Sequence, residues 1–156
     1  AGEMAEVDFY QLRTSALESA LPKLLQKVLD AGHRVRVVGA SEARMEALNA
    51  ALWTFDPASF LPHGGPGDGD ADMQPIYLTS ESADVTANEN GADVVVTIDG
   101  VEPVFLDGVS RYLDMFDGRD DSALQAARQR WKRRKAEAHS VNYWQQGEGG
   151  RWEKLG

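Results

Sequence analysis

Residues 93–98, Asp-Val-Val-Val-Thr-Ile, form a nearly unbroken β-branched run. A strand that is apolar on both faces has to be covered on both faces, which is the condition of a central strand in a parallel sheet flanked by helices. The preceding sequence meets that requirement. Residues 7–12 (VDFYQL) alternate and carry two aromatics, which predicts an opening strand. Ser15 then starts a helix along which Leu17, Leu21, Leu24, Leu25, Val28 and Leu29 recur at helical spacing, with Pro22 near the first turn and Gly32 as the stop. Residues 35–38 (VRVV) predict a second strand, and Ser41 opens a second helix through Met45, Leu48, Leu52 and Trp53. This strand, helix, strand, helix order argues for a doubly wound α/β sheet with right-handed crossovers.

Further strands are expected at 76–79, 112–116 and 141–144, and a short helix over 105–110. Asp121 and Ser122 start a last helix, with Leu124, Ala127, Trp131 and Ala138 on one side. Residues 64–74 are rich in Gly and Asp without periodicity and read as an exposed, mobile loop. At 156 residues the chain has room for one core, expected over 4–145, with a flexible glycine-rich tail over 146–156. Ala1, Gly2 and Glu3 precede a candidate initiator, Met4, and read as a remnant of expression. No apolar run approaches the roughly 20 residues of a membrane span, and no signal-peptide pattern opens the chain, so a cytoplasmic location is expected.

Few chemistries survive inspection of the side chains. The chain has no cysteine, which excludes disulfides, thiol nucleophiles and Cys-based zinc sites. Asp68, Asp70 and Asp72 alternate like the start of a calcium loop, but Met73 stands where the sharp turn needs Gly and Thr79 where a bidentate Glu is needed. His33, His63 and His139 have no metal-ligand spacing, and no GxSxG elbow exists. Between the second strand and its helix lies VVGASEARMEAL, where a nucleotide-binding protein would keep its phosphate loop. Only Gly39 is present, so neither GxGxxG nor GxxxxGK[ST] can be written there, and a plain helix cap is the better reading.

The charge distribution is less ordinary. The formal net charge is −9, yet residues 128–135 hold six Lys or Arg and no acid, leaving ten basic residues against 25 acidic elsewhere. So acidic a surface repels nucleic acid in general, which makes a small acidic partner a better match for the patch than DNA. Arg128, Trp131, Lys132 and Lys135 fall at i, i+3, i+4 and i+7, an aromatic flanked by cations, which suits a ligand that joins a carboxylate to an apolar side chain. The residues alone favour the plainer alternative, a core tryptophan beside a solvated basic face. Trp53, Phe55, Phe60 and Leu61 with two prolines concentrate apolar bulk on an irregular segment, either a partner-binding surface or core.

Taken in order, FYQL, GHRVRVV, ALW followed by SFLPH, DVVV and DSALQAARQRWK resemble the chi subunit family of bacterial DNA polymerase III holoenzyme, over about residues 7–144. The resemblance implies a Rossmann-like three-layer α/β sandwich with a mainly parallel or mixed sheet. It further implies a non-catalytic accessory subunit that needs no cofactor or metal, pairs with the psi subunit of the clamp loader, and binds the acidic C-terminal tail of single-stranded DNA-binding protein without gripping DNA itself. Carried over by position, Phe116, Arg128, Trp131 and Lys132 would form the tail pocket. Trp53, Phe60, Pro62 and His63 would face psi. The family often has Tyr where this chain has Trp131, which keeps the stacking surface and loses the hydroxyl. It can also carry Lys where this chain has Leu124, a loss that Arg134 or Lys135 would have to offset. Two rivals remain: a small Rossmann-type nucleotide-binding enzyme, supported by Gly39 alone, and a direct binder of single-stranded DNA through the basic helix.

Overall fold

A computed structural model of the chain describes residues 5–53, 63–64, 76–80, 91–103, 105, 108–137 and 139–155. The elements follow in the order β1 (Glu6–Leu12), α1 (Leu17–Asp30), β2 (Val35–Gly39), α2 (Glu42–Trp53), β3 (His63–Gly64), β4 (Ile76–Ser80), β5 (Val94–Thr97), β6 (Arg111–Asp117), α3 (Asp121–Ala136), β7 (Ser140–Gln146) and β8 (Trp152–Lys154). The strands form one sheet in the order β3-β4-β2-β5-β6-β1-β7-β8, parallel throughout except for the antiparallel pair β7 and β8.

The β-branched run occupies the position its composition demands. β5 lies between β2 and β6, and its four residues are buried. Alternation along the strands divides the interior into two layers. Tyr10, Leu12, Val35, Val37, Val94, Val96, Leu113 and Met115 pack with Leu21, Leu24 and Leu25 of α1 and Met45 and Leu48 of α2. Val7, Phe9, Val38, Val95, Tyr112 and Phe116 face the other way, where Ala127 of α3 joins them. The result is a single-domain, Rossmann-like three-layer sandwich. α1 packs an apolar stripe and closes at Gly32, whose φ of +89° ends the helix in the left-handed region. Pro22 lies one turn deeper in α1 than expected and is buried there.

Two local expectations need correction. Phe105 and residues 108–110, the described part of 105–110, are not helical; Gly108, at φ +85°, turns the chain before Val109 is buried. The glycine-rich tail also folds back. Gly147 donates its N–H to the Arg151 carbonyl at 2.7 Å, and β8 then pairs with β7, placing Trp152 opposite Gln146 and edge-on to Tyr10, with ring centroids 5.1 Å apart. An apolar ring on a polar tail found an aromatic partner on the sheet, which composition does not reveal. The mobile-loop span 64–74 and residues 81–90 lie outside the described residues, Gly64 excepted.

At the N-terminal rim of the sheet Asp93 clasps β2 to β5. Its carboxylate meets His33 Nδ1 at 2.5 Å and accepts from the Arg34 N–H at 2.8 Å. Partial burial pushes the Asp93 carboxyl up, but His33 and the backbone donors more than offset this and hold it below the ordinary carboxylate value of 3.8. A carboxylate depressed in the folded state stabilises above its unfolded pKa, and that contribution is lost as pH falls through the folded value. Asp93→Asn is therefore expected to cost about 1 kcal/mol near pH 7, discounted for partial exposure. The difference from wild type should shrink at about pH 3, which urea denaturation at the two pH values will read.

Candidate functional site

The basic helix α3 starts at Asp121, as expected, and is capped by Asp120, whose carboxylate accepts from the N–H groups of Ser122 (3.0 Å) and Ala123 (3.3 Å). Its six cations separate into two sets. Arg130 is 4% exposed and makes a two-pronged pair with Asp114 of β6, Nε to Oδ2 at 2.6 Å and Nη2 to Oδ1 at 3.0 Å. Arg134, one turn on and also buried, reaches Glu102 and Glu137, each at 3.0 Å, with its guanidinium 5.5 Å from the centre of the Phe105 ring. Arg133 also pairs with Glu102. Burial pushes the Asp114 carboxyl up while Arg130 draws it down. Of these three arginines only Arg133 lies on the solvated side of the helix, because acids on β6 and in the 99–103 segment await the other two.

Arg128, Lys132 and Lys135 form the second set. All three are exposed, and among the described residues none has an ion pair. They surround Trp131, which is partly exposed and carries the Lys135 ammonium 4.3 Å from its ring centre. Trp131 belongs to the apolar layer beneath α3 together with Leu124, Tyr143 and the buried Phe116. Its indole N–H is buried without an acceptor among the described residues. The structure thus brings Arg128, Trp131 and Lys132 together on α3, with Phe116 of the interior strand β6 in the apolar layer beneath. Phe116 supports the aromatic layer from below, 3% exposed, and does not stand as an open wall.

Tyr143 is the member that sequence reasoning missed. Its ring lies 6.2 Å from that of Phe116 and 6.4 Å from that of Phe9, and its hydroxyl donates to Gln11 Oε1. Burial raises the Tyr143 hydroxyl pKa and the charge of Arg128 lowers it, which puts Arg128 within electrostatic reach of this ring. The signal present in the sequence was the alternation of VNYW, which puts Tyr143 on the same sheet face as Val141.

The residues implied for a psi surface are not brought into view. Phe60 and Pro62 lie outside the described residues. Of Trp53 and His63 only the backbone is placed, at the end of α2 and in β3.

Features that would serve a nucleotide are otherwise employed. A Cβ on Gly39 would collide with the Met45 Sδ, so this glycine admits α2 to the end of β2. Ser41 Oγ accepts from the Arg44 N–H at 3.1 Å, as a helix cap does. Ahead of α1 the N–H groups of Arg13, Thr14 and Ser15 converge, an arrangement suited to anions at the end of the first strand of such sheets. They converge on the chain's own Gln146 Oε1, at 3.0, 2.9 and 3.2 Å. A cleft of about 520 Å³ at the C-terminal edge of the sheet has its charges matched internally, Arg44 with Glu18 and Asp99, Arg119 with Asp117, Arg130 with Asp114. Among the described residues no group of three or more His, Asp or Glu is placed to hold a metal, and no helix is long and apolar enough to cross a membrane.

Comparison with known proteins shows the family of the chain. Residues 4–142 match the family model described as DNA polymerase III chi subunit, HolC. A relative from Rickettsia prowazekii (strain Madrid E), described as a probable DNA polymerase III subunit chi, is 27% identical over 113 residues, which covers 72% of this chain and 66% of that protein. The chain thus spans just under two thirds of that relative's length. With a family match running from before β1 into β7, the chain belongs to the DNA polymerase III chi subunit family.

Proposed function

We propose that this chi-family chain is a non-catalytic adaptor that binds the acidic C-terminal tail of single-stranded DNA-binding protein and pairs with the psi subunit of the clamp loader, linking the replicase to coated template. The observation that supports the tail reading is the sorting of charge on α3. Acids of the fold neutralise Arg130, Arg133 and Arg134, while Arg128, Lys132 and Lys135, around a partly exposed indole, have no ion pair among the described residues. A terminal carboxylate would pair with Arg128, its aromatic side chain would lie against Trp131, and upstream acids would face Lys132 and Lys135.

An Asp-rich peptide ending in Phe, titrated while tryptophan fluorescence is followed, is expected to bind saturably and more weakly as salt rises. Arg128→Ala should weaken it about ten-fold or more, the loss of one charge-assisted contact. Absence of saturable binding, or an unchanged affinity in Arg128→Ala, would remove this reading. Tight binding of a bare oligonucleotide at physiological salt would point instead to the direct DNA reading, which the acidity of the rest of the chain disfavours. The psi surface is proposed at Trp53, Phe60, Pro62 and His63, to be tested by co-purification of psi with Trp53→Ala.

A further inference from the structure

The side of α3 that faces the sheet is not the side its apolar residues would choose. At about 100° per residue, Leu124, Ala127 and Trp131 share one stripe, whose centre lies about 60° around the helix from that of Ala127, Arg130 and Arg134. A helix docked by apolar burial alone turns the first stripe inward, which would bury Trp131, carry Arg130 out to the water boundary and shift Arg134 toward it. The protein does the reverse. Ala127, Arg130 and Arg134 are the buried residues of α3, and Leu124 and Trp131 are left on the flank, partly exposed. The restraint is visible in the contacts: Asp114 of β6 holds Arg130 through two nitrogens, and Glu102 in the segment after β5 holds Arg134 one turn later, while the pair of Arg134 with Glu137 stays within the end of the helix. Two anchors at i and i+4 on one line fix the rotation of a helix, where a single anchor allows it to pivot. Buried ion pairs add little net stability compared with apolar residues of equal volume, and their best-attested use is to impose one register among several.

We propose that Arg130 and Arg134 are positioning residues that rotate α3 so that Trp131 stays at the surface among Arg128, Lys132 and Lys135. This rests on the tail-binding reading of that face and adds what keeps the face open. The same cations would otherwise flank an indole turned into the core, and the site would lose its aromatic floor.

The test uses the whole chain labelled with fluorotryptophan, the Trp131 resonance being assigned by its loss in Trp131→Phe. In the charge-free pair Arg130→Gln with Asp114→Ala, which removes the ion pair and puts no apolar side chain on the inward stripe, the solvent isotope shift of that resonance, a measure of ring exposure, should fall markedly. Affinity for the Asp-rich peptide ending in Phe should fall about five-fold or more. Arg134→Gln is a second variant that is expected to fold in any case, because Glu102 and Glu137 are half-exposed and re-solvate once released; it should move both readings in the same direction. Arg130→Lys, which keeps the charge but not the fork, should lie between wild type and the charge-free pair. Unchanged Trp131 exposure in folded variants would overturn the proposal, as would reduced exposure with unchanged peptide affinity. Arg128→Ala separates the two ideas: it should weaken the peptide without altering Trp131 exposure. If it leaves peptide binding intact, the tail reading fails, and the isotope shift still decides whether the arginines set the rotation.

Discussion

Asp114→Ala is expected to lower the unfolding free energy by about 3–5 kcal/mol, because it leaves the Arg130 guanidinium buried without its counter-charge. Both partners are almost wholly enclosed, Arg130 at 4% and Asp114 at 5% exposure, so water cannot replace the lost carboxylate. The two bonds at 2.6 and 3.0 Å use the Nε–Nη2 edge of the guanidinium, and its Nη1 lies near Gly100. Adding Arg130→Met to Asp114→Ala should restore most of the loss, since the desolvated charge disappears while much of the side-chain volume remains. Urea denaturation of the two singles and the double gives the coupling directly. A loss in Asp114→Ala no larger than about 1 kcal/mol would mean that the pair is solvated and lacks the closed geometry described above. The single variant is thus predicted to unfold easily, and the double variant Asp114→Ala with Arg130→Met to be stable.

Gln146→Leu should cost about 2–3 kcal/mol, through the N–H groups of Arg13, Thr14 and Ser15 that lose their shared acceptor. Gln146 is 3% exposed, and its Nε2 also donates to Ser15 Oγ at 2.7 Å, so one side chain closes the turn from β1 to α1 from the opposite end of the chain. Gln146→Glu should keep most of the stability, because a carboxylate oxygen can accept the same three bonds and its charge is favoured near the N-terminus of α1. An apolar residue of similar size offers neither. Thermal melts of the two variants beside wild type distinguish the acceptor from mere packing: equal losses in Leu and Glu would show that shape, not the oxygen, holds the turn. Since the nest is already filled, wild type should gain no thermal stability from millimolar phosphate, ATP or NAD.

Much of the fold was legible because its signals are local. The run at 93–98 could be satisfied only by a central strand, the leucine spacing from Leu17 to Leu29 only by a helix with one apolar side, and Gly32 marked where that helix had to stop. The family could be read from ordered segments such as ALW with SFLPH and the RQRWK helix. The tail was misjudged for a reason of the same kind. Glycine content speaks to the freedom of the chain between contacts, whereas the hairpin depends on Trp152 finding Tyr10 and Gln146 finding the turn at residues 13–15, more than 130 positions away.

The candidate site divides along that line. The sequence alone determined that six cations and a tryptophan share one helix, and that a helix caps near Asp121, since these are matters of spacing within a few turns. Which cations find acids among the described residues was decided only by the tertiary structure. An arginine on a helical wheel has the same charge whichever way it points, and Asp114 and Glu102 reach α3 only once β6 and the segment after β5 lie beneath it. Folding brings those acids to Arg130 and Arg134 and sets Arg128, Lys132 and Lys135, which have no ion pair among the described residues, around Trp131.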